Sequence, residues 1–165
     1  MRVSFDLDDT LFVNPAKFST EKALPFPFGK LYRERLRLGT IALFKYLKEN
    51  GIEAWIYTTS FRSERYIRGL FRCYGIRLCE IVNGERHARE VQKNSGEALP
   101  SKYPGKYRID LHIDDDISVK QNGDTYGFRV LIVGADDGQW TEKIIKRIEE
   151  IRAAERRRNH DNRQL

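Results

Sequence analysis

Short apolar runs alternate along the chain with segments in which apolar residues recur every three or four positions. Five runs have the length and the β-branched and aromatic content of strands: 2–6, 52–58, 76–82, 109–113 and 128–133. Helical spacing recurs between them over 36–47, 66–74, 117–122 and 144–151. Strands that alternate with helices in this way are typical of a parallel sheet that helices cover. We therefore predict an α/β fold with a Rossmann-like parallel five-stranded sheet and helices on both faces.

Two stretches lack this periodicity. Residues 12–35 combine three prolines with several aromatic residues, and proline suits neither a helix interior nor a central strand. We predict a flap or loop there. Residues 83–106 are polar and include two prolines, which predicts a loop with one short helix. The predicted organisation is a single domain over 1–152, followed by a basic, flexible tail over 153–165.

Acidic clusters follow the first and fourth predicted strands directly. They are Asp6–Asp9, which contains three aspartates, and Asp114–Asp116. In parallel sheets ligands bind at the carboxyl ends of the strands, so we expect both clusters to meet Thr58–Ser60 at one edge. Like charges this close repel each other, and a bound cation is one reason to keep them together. Oxygen ligands with open positions predict Mg²⁺.

The same residue types suit phosphoryl transfer. One carboxylate of the pair Asp6 and Asp8 can act as the nucleophile while the other handles protons. A hydroxyl at the end of the neighbouring strand, on Thr58 or alternatively on Thr59 or Ser60, can bind a phosphate oxygen. A nearby lysine would neutralise the charge on the phosphoryl group while it is transferred.

Three motifs carry a family resemblance. They are FDLDDTL at 5–11, WIYTTS at 55–60 and LHIDD at 111–115. In their order they resemble the first, second and fourth motifs of the haloacid dehalogenase (HAD) superfamily, and 126–133 resembles the glycine and strand that follow. The resemblance covers about residues 1–135 and implies a HAD-like hydrolase.

The resemblance also implies roles. Asp6 would attack phosphorus and form an aspartyl-phosphate, and Asp8 would protonate the leaving group and then activate water. An acid two residues after the nucleophile is the superfamily's phosphatase pattern. Mg²⁺ would lie between the Asp6 carboxylate, the Asp8 backbone carbonyl and Asp114, with Asp115 as a ligand or water holder. Thr58, beside Thr59, would bind the phosphate.

The family's third motif is a lysine, and three lysines precede the fourth predicted strand. Lys102 is the favoured one because it lies 12 residues before Asp114 in a loop that prolines constrain. Lys106 is the close alternative and Lys93 the more distant one.

Cap domains of the superfamily are inserted after the first motif or after the third strand. The corresponding gaps here have room for a flap and a short helix only, which predicts a capless member. Capless relatives tend to accept large substrates, since no lid excludes them.

The charge distribution adds a competing hypothesis. The net charge is +6, and residues 30–77 alone hold eleven Lys and Arg against four Asp and Glu. A basic surface attracts anionic substrates. It also suits a HAD-fold binding module with little turnover that holds nucleic acid or a protein partner. A phospho-receiver domain is rejected, because its phosphorylated aspartate lies on a later strand.

Cysteine content and hydropathy indicate the compartment. Two cysteines are too few for a disulfide framework, which favours a reducing cytoplasm. No apolar run approaches the ~20 residues of a membrane span, and the first residues lack the features of a signal peptide. We therefore expect a cytoplasmic protein without membrane contact.

Overall fold

A five-stranded parallel sheet forms the centre of the molecule. The computed structural model describes residues 1–93 and 99–161. The strands are β1 (Arg2–Phe5), β2 (Glu53–Tyr57), β3 (Glu80–Val82), β4 (Leu111–Asp114) and β5 (Val130–Ile132), arranged in the order β3-β2-β1-β4-β5. All neighbouring strands are parallel, which confirms the predicted sheet. The first strand is therefore the central one.

Helices fill the connections between the strands. They are α1 (Phe28–Leu31), α2 (Thr40–Glu49), α3 (Glu64–Cys73), α4 (Gly84–His87), α5 (Ile117–Tyr126) and α6 (Trp140–Asp161), with a π-helical turn over Ala88–Gln92 and a 3-10 turn over Pro104–Tyr107. Ser63 caps α3 by accepting the amide hydrogen of Tyr66, and Gly127 ends α5 in the left-handed conformation at φ 74°. Within the described part of the chain, no helix is long and apolar enough to cross a membrane.

The two faces of the sheet differ in chemistry. Side chains alternate along each strand, so Val3 and Phe5 point to one face and Ser4 to the other. On the first face, the buried residues of α2, α3 and α6 pack with the strands in one large apolar core. On the second face, α5 and the 103–107 segment cover smaller clusters that include Tyr57. Helices thus lie on both faces, as predicted, and the second face, with the smaller apolar clusters, holds the buried polar side chains.

Some elements differ in length from the prediction. The third strand begins at Glu80 rather than at residue 76, because the buried Ile76 and Leu78 come before the first residue that pairs with β2. The segment after β3 forms α4 and the π-helical turn, a longer helical stretch than the one predicted.

The expected tail over 153–165 is corrected over most of its length. Residues 153–161 continue α6 to Asp161. The physical reason is local composition, since alanine, glutamate and arginine are strong helix formers and no glycine or proline intervenes. Residues 162–165 lie outside the described part of the chain.

Ile148 tests how much α6 contributes to the core. Its side chain is fully buried, so we expect Ile148→Ala to lower the free energy of unfolding by about 2–5 kcal/mol. Urea unfolding followed by circular dichroism measures this. Lys146→Ala, at an exposed position of the same helix, should change it by no more than about 0.5 kcal/mol. Equal effects of the two substitutions would contradict the packing of α6 on the sheet.

Candidate active site

The carboxyl ends of β1 and β4 bring three carboxylates together. Phe5 pairs with Ile113 in the sheet, so the next residues, Asp6 and Asp114, lie level with each other. The Asp6 amide donates to the Ile113 carbonyl at 2.9 Å. With Asp115, these side chains offer carboxylate oxygens that all lie within 4.8 Å of one another. The expected meeting of the first and fourth strand ends is present.

Lys102 lies among these carboxylates. Its Nζ is 2.7 Å from Asp114 Oδ2 and 2.9 Å from Asp6 Oδ1, and its side chain is buried. The contact with Asp114 is a directed hydrogen bond, whereas Asp6 Oδ1 is buried without one. Lys102 contacts two of the three carboxylates, so the group carries two more negative than positive charges when all four side chains are ionised. Such an excess favours a divalent cation.

Burial and the neighbouring charges shift these groups in different directions. Burial, more than the charge of Asp114, raises the pKa of Asp6, although Lys102 opposes it. Burial and the Asp114 charge likewise raise the pKa of Asp115. Burial alone would also raise the pKa of Asp114, but hydrogen bonds and charge from His112 and Lys102 outweigh it and lower the value to about 2. Of the three carboxyl groups, Asp114 is therefore the one whose surroundings favour the ionised form most.

A row of buried hydrogen bonds on the second face of the sheet helps to keep Asp114 ionised. His112 Nε2 lies 2.8 Å from Asp114 Oδ2 and donates to it, because a carboxylate only accepts. His112 Nδ1 lies 2.8 Å from Ser4 Oγ of the neighbouring strand. Both residues are fully buried. The sequence predicted that His112 would be buried in a strand but gave no sign of its partner, since Ser4 lies 108 residues away.

Tyr57 fixes the loop that carries Lys102. Its hydroxyl accepts the amide hydrogen of Tyr103 at 2.8 Å and lies 2.6 Å from His87 Nδ1. The hydroxyl is thus hydrogen-bonded to two partners from different segments of the chain. Burial raises the pKa of Tyr57 well above its usual value. Lys102, one residue before Tyr103, is thereby held against the end of β1.

The two alternative lysines lie elsewhere. Lys106 is exposed and its Nζ contacts the Glu90 carbonyl. Lys93 is exposed at the end of the π-helical turn. Of the three lysines considered from sequence, Lys102 is the one at the carboxylates. The geometry is therefore consistent with the preferred assignment.

Asp8 is placed differently from the other acids. Its two carboxylate oxygens accept hydrogen bonds from Arg62 Nη1 and Nη2 at 2.8 and 2.9 Å. Arg62 also donates from Nε to Glu34 Oε1 at 2.8 Å. Asp8 thus lies in the same turn as Asp6, while its charge is paired with the segment before α3. The carboxylate of Asp8 does not belong to the three-carboxylate group.

The predicted phosphate-binding residues follow β2. Thr58 is buried, and its hydroxyl accepts the Ser60 amide hydrogen at 3.2 Å, whereas Thr59 is exposed. Gly84 permits close packing of this turn, because a Cβ there would lie 2.5 Å from the Thr59 carbonyl oxygen. A larger residue would push the turn away from the end of β3.

Other residues near the acids have structural roles. Asp116 caps α5, where its side chain accepts the Ser118 amide hydrogen. Asp9 adopts a positive φ of 56° in the turn after β1, a conformation that aspartate tolerates better than most residues. Thr10 Oγ1 donates to Asp115 Oδ1 at 3.2 Å. The contact of Thr10 with Asp115 was not predicted, and the threonine within the first motif was its only signal.

The donor set fits a hard divalent cation. Asp6, Asp114 and Asp115 supply only carboxylate oxygens, which Mg²⁺ prefers. Asp6 Oδ1 is buried and accepts no directed hydrogen bond, although the Lys102 ammonium lies 2.9 Å away. Asp114 is already engaged, since Oδ1 accepts the Asp116 amide hydrogen and Oδ2 contacts Lys102 and His112. A cation would share that carboxylate with its present partners.

Comparison with known proteins finds similar chains among the solved structures. No family model and no curated protein matches it. The HAD domain of the effector protein Lem4 from Legionella pneumophila, solved as an inactive mutant, is similar with 16% identity and a TM-score of 0.47. The likeness covers 88% of this chain and 91% of that one. Neither the fold described above nor the site rests on it.

Tyr57→Phe tests the anchor of the lysine loop. The substitution removes one hydroxyl and leaves the Tyr103 amide and His87 Nδ1 without their partner, so we expect a loss of about 1–3 kcal/mol in the free energy of unfolding. Chemical denaturation measures it. Tyr126→Phe removes a hydroxyl from a partly exposed ring and should cost no more than about 0.5 kcal/mol. A Tyr57→Phe protein as stable as the wild type would refute the anchor.

Proposed function

We propose that the protein is a Mg²⁺-dependent phosphatase of the HAD type that works through an aspartyl-phosphate on Asp6. The observation that carries the proposal is the group of Asp6, Asp114 and Asp115 at the carboxyl edge of the sheet, in which the buried Asp6 and Asp114 both contact Lys102. The motif resemblance supports the same chemistry. The protein belongs, on this proposal, with the capless members of that superfamily.

In the first step an oxygen of Asp6 attacks the phosphorus of a phosphate ester. The new bond joins Asp6 to phosphorus while the bond from phosphorus to the ester oxygen breaks. Asp8 gives a proton to that leaving oxygen, so an alcohol departs. Lys102 and the Thr58 hydroxyl, with Thr59 beside it, bind the phosphoryl oxygens and neutralise part of their charge.

In the second step water attacks the phosphorus of the aspartyl-phosphate. Asp8, now ionised, takes a proton from this water, and the bond between Asp6 and phosphorus breaks. Inorganic phosphate leaves and the Asp6 carboxylate is restored, while Asp8 regains its proton. The cycle therefore consumes one water and one ester for each alcohol and phosphate released.

Mg²⁺, held by Asp6, the Asp8 backbone carbonyl and Asp114 with Asp115 as a ligand or water holder, would supply positive charge against the phosphoryl oxygens. The chain's own residues prepare for this. His112 and Lys102 keep Asp114 ionised, so the most buried ligand needs no deprotonation. Asp6 carries a raised pKa, and the charge of a bound cation would favour its ionised, nucleophilic form.

The surroundings support an open site. Between β1 and α2 the structure contains one helix of four residues, Phe28–Leu31, and the described residues between β3 and β4 add only short helical turns. Asp8 is half exposed. A large phosphorylated substrate would be able to approach such a site directly.

Asp6→Asn tests the nucleophile. An amide at residue 6 cannot attack phosphorus as the carboxylate does, so we expect hydrolysis of p-nitrophenyl phosphate with Mg²⁺ to fall by at least about 10³-fold. Asp116→Asn is the matched control, because asparagine also caps helices well and residue 116 lies outside the carboxylate group. An Asp6→Asn protein as active as the wild type would exclude the covalent mechanism.

Mg²⁺ itself should stabilise the fold, because it offsets the excess negative charge. At a concentration 100 times its dissociation constant, a ligand that binds only the folded state adds about 2.7 kcal/mol. For a domain of this size the melting temperature should rise by about 5–10 °C. Asp115→Asn should reduce the rise, whereas Asp116→Asn should not. Calorimetry at constant ionic strength measures both, and an absent shift in the wild type would contradict the metal site.

Nucleic-acid or protein binding without turnover stays a second prediction. The structure shows that several arginines of the basic segment 30–77 already have partners. Arg37 donates to the carbonyls of Gly134 and Asp137, and Arg68 pairs with Glu64. Fewer free charges weaken the case for a nucleic-acid surface, so the phosphatase remains the favoured function.

A further inference from the structure

Arg62 holds its guanidinium group between two carboxylates at the mouth of the site. One carboxylate is that of Glu34, whose Oε1 accepts a hydrogen bond from Arg62 Nε at 2.8 Å. The two terminal nitrogens, Nη1 and Nη2, donate to Asp8 Oδ2 and Oδ1 at 2.8 and 2.9 Å. This is the two-pronged geometry with which arginine binds carboxylate and phosphate groups. Asp8 therefore occupies an anion site.

The Glu34 end of this arrangement is the fixed one. Glu34 accepts a second hydrogen bond from the Tyr66 hydroxyl, and its side chain is 20% exposed. The guanidinium carbon lies 5.5 Å from the centre of the Phe12 ring. Asp8, in contrast, has a side chain that is 53% exposed. Water can replace the hydrogen bonds of the more exposed Asp8 more easily than those of Glu34. Asp8 therefore separates from Arg62 at the lower cost in free energy.

The proposed mechanism requires Asp8 to leave. To exchange protons with the leaving oxygen and then with water, Asp8 needs a free carboxylate oxygen directed at the phosphoryl group. Both oxygens are bound by Arg62 in this structure. The contact must open in every turnover. Nη1 then keeps its hydrogen bond to Ser60 Oγ at 2.8 Å, but the two N–H groups that faced Asp8 lose their acceptor. Another anion at that position would replace what Arg62 loses.

We propose that Arg62 selects substrates that carry a second anionic group, a carboxylate or a phosphate, a few ångström from the ester oxygen. The second group takes the place of Asp8 on Nη1 and Nη2, and Asp8 turns to the leaving oxygen. The inference rests on the proposed function, since it assigns Asp8 to the leaving group. Arg62 is then a specificity-determining residue, and a simple monophosphate is a poor substrate.

Two pairs of compounds test the selection. O-phosphoserine differs from phosphoethanolamine by one carboxylate, and 2′-deoxyadenosine 3′,5′-bisphosphate differs from 2′-deoxyadenosine 5′-monophosphate by one phosphate. The measurement is kcat/KM from phosphate release with Mg²⁺. For the wild type we expect the doubly anionic member of at least one pair to be favoured about tenfold or more, the scale of a charge-assisted hydrogen-bonded pair. Which pair shows it identifies the second group as carboxylate or phosphate.

Variants of Arg62 connect the preference to this side chain. Arg62→Ala should bring the ratio within the favoured pair close to one, and Arg62→Lys should retain only part of it, because lysine keeps the charge without the fork. Arg65→Ala is the matched control, since Arg65 is an exposed arginine three residues further on and should keep the wild-type ratio. Circular dichroism of each variant verifies folding.

Two results would overturn the inference. One is a wild type without preference in either pair, and the other is an Arg62→Ala protein with the wild-type ratio. Absence of turnover with every compound would instead refute the proposed function. Calorimetric titration of the bisphosphate in EDTA then decides separately: binding that Arg62→Ala weakens about tenfold supports the anion site, and equal binding to both proteins rejects it.

Discussion

An ammonium group buried among carboxylates holds the working edge of this sheet together. Lys102 contacts Asp6 and Asp114 with almost no exposure to water. Removing one partner from such a group leaves uncompensated charge in a poorly solvated place, at a cost of about 3–5 kcal/mol. The loop that carries the lysine therefore has to be placed accurately. The hydrogen bond from the Tyr103 amide to Tyr57 meets that need.

The two faces of the sheet differ in composition because of this constraint. One face is apolar and supports the helices α2, α3 and α6. The other carries Ser4, Tyr57 and His112, which are buried and hydrogen-bonded. A buried polar network defines a single arrangement when its members are satisfied. The apolar face thus stabilises the fold, while the polar face positions the acids.

Much of this arrangement follows from local patterns, and part of it does not. The strands and their acidic ends could be predicted, because apolar runs and topology determine where parallel strands end. Lys102 was one of three lysines in a loop, and its placement depends on a tyrosine 46 residues before Tyr103. The pairing of Arg62 with Asp8 joins residues 54 positions apart. No spacing rule predicts such contacts. The length of α6 was underestimated for a different reason: its charged end was interpreted as a tail, although those residues favour a helix.

The central position of β1 has a consequence for how the site comes into being. β1, which Asp6 follows directly, precedes the other strands in sequence. It nevertheless pairs with β2 at residues 53–56 and with β4 at residues 111–113. Loop closure over such separations is slow compared with helix formation. Asp6 thus stays far from Lys102 and Asp114 until the chain has been synthesised as far as β4. Assembly of the charge cluster is a late event of folding, and a chain that stops before β4 contains Asp6 without the charged residues that surround it.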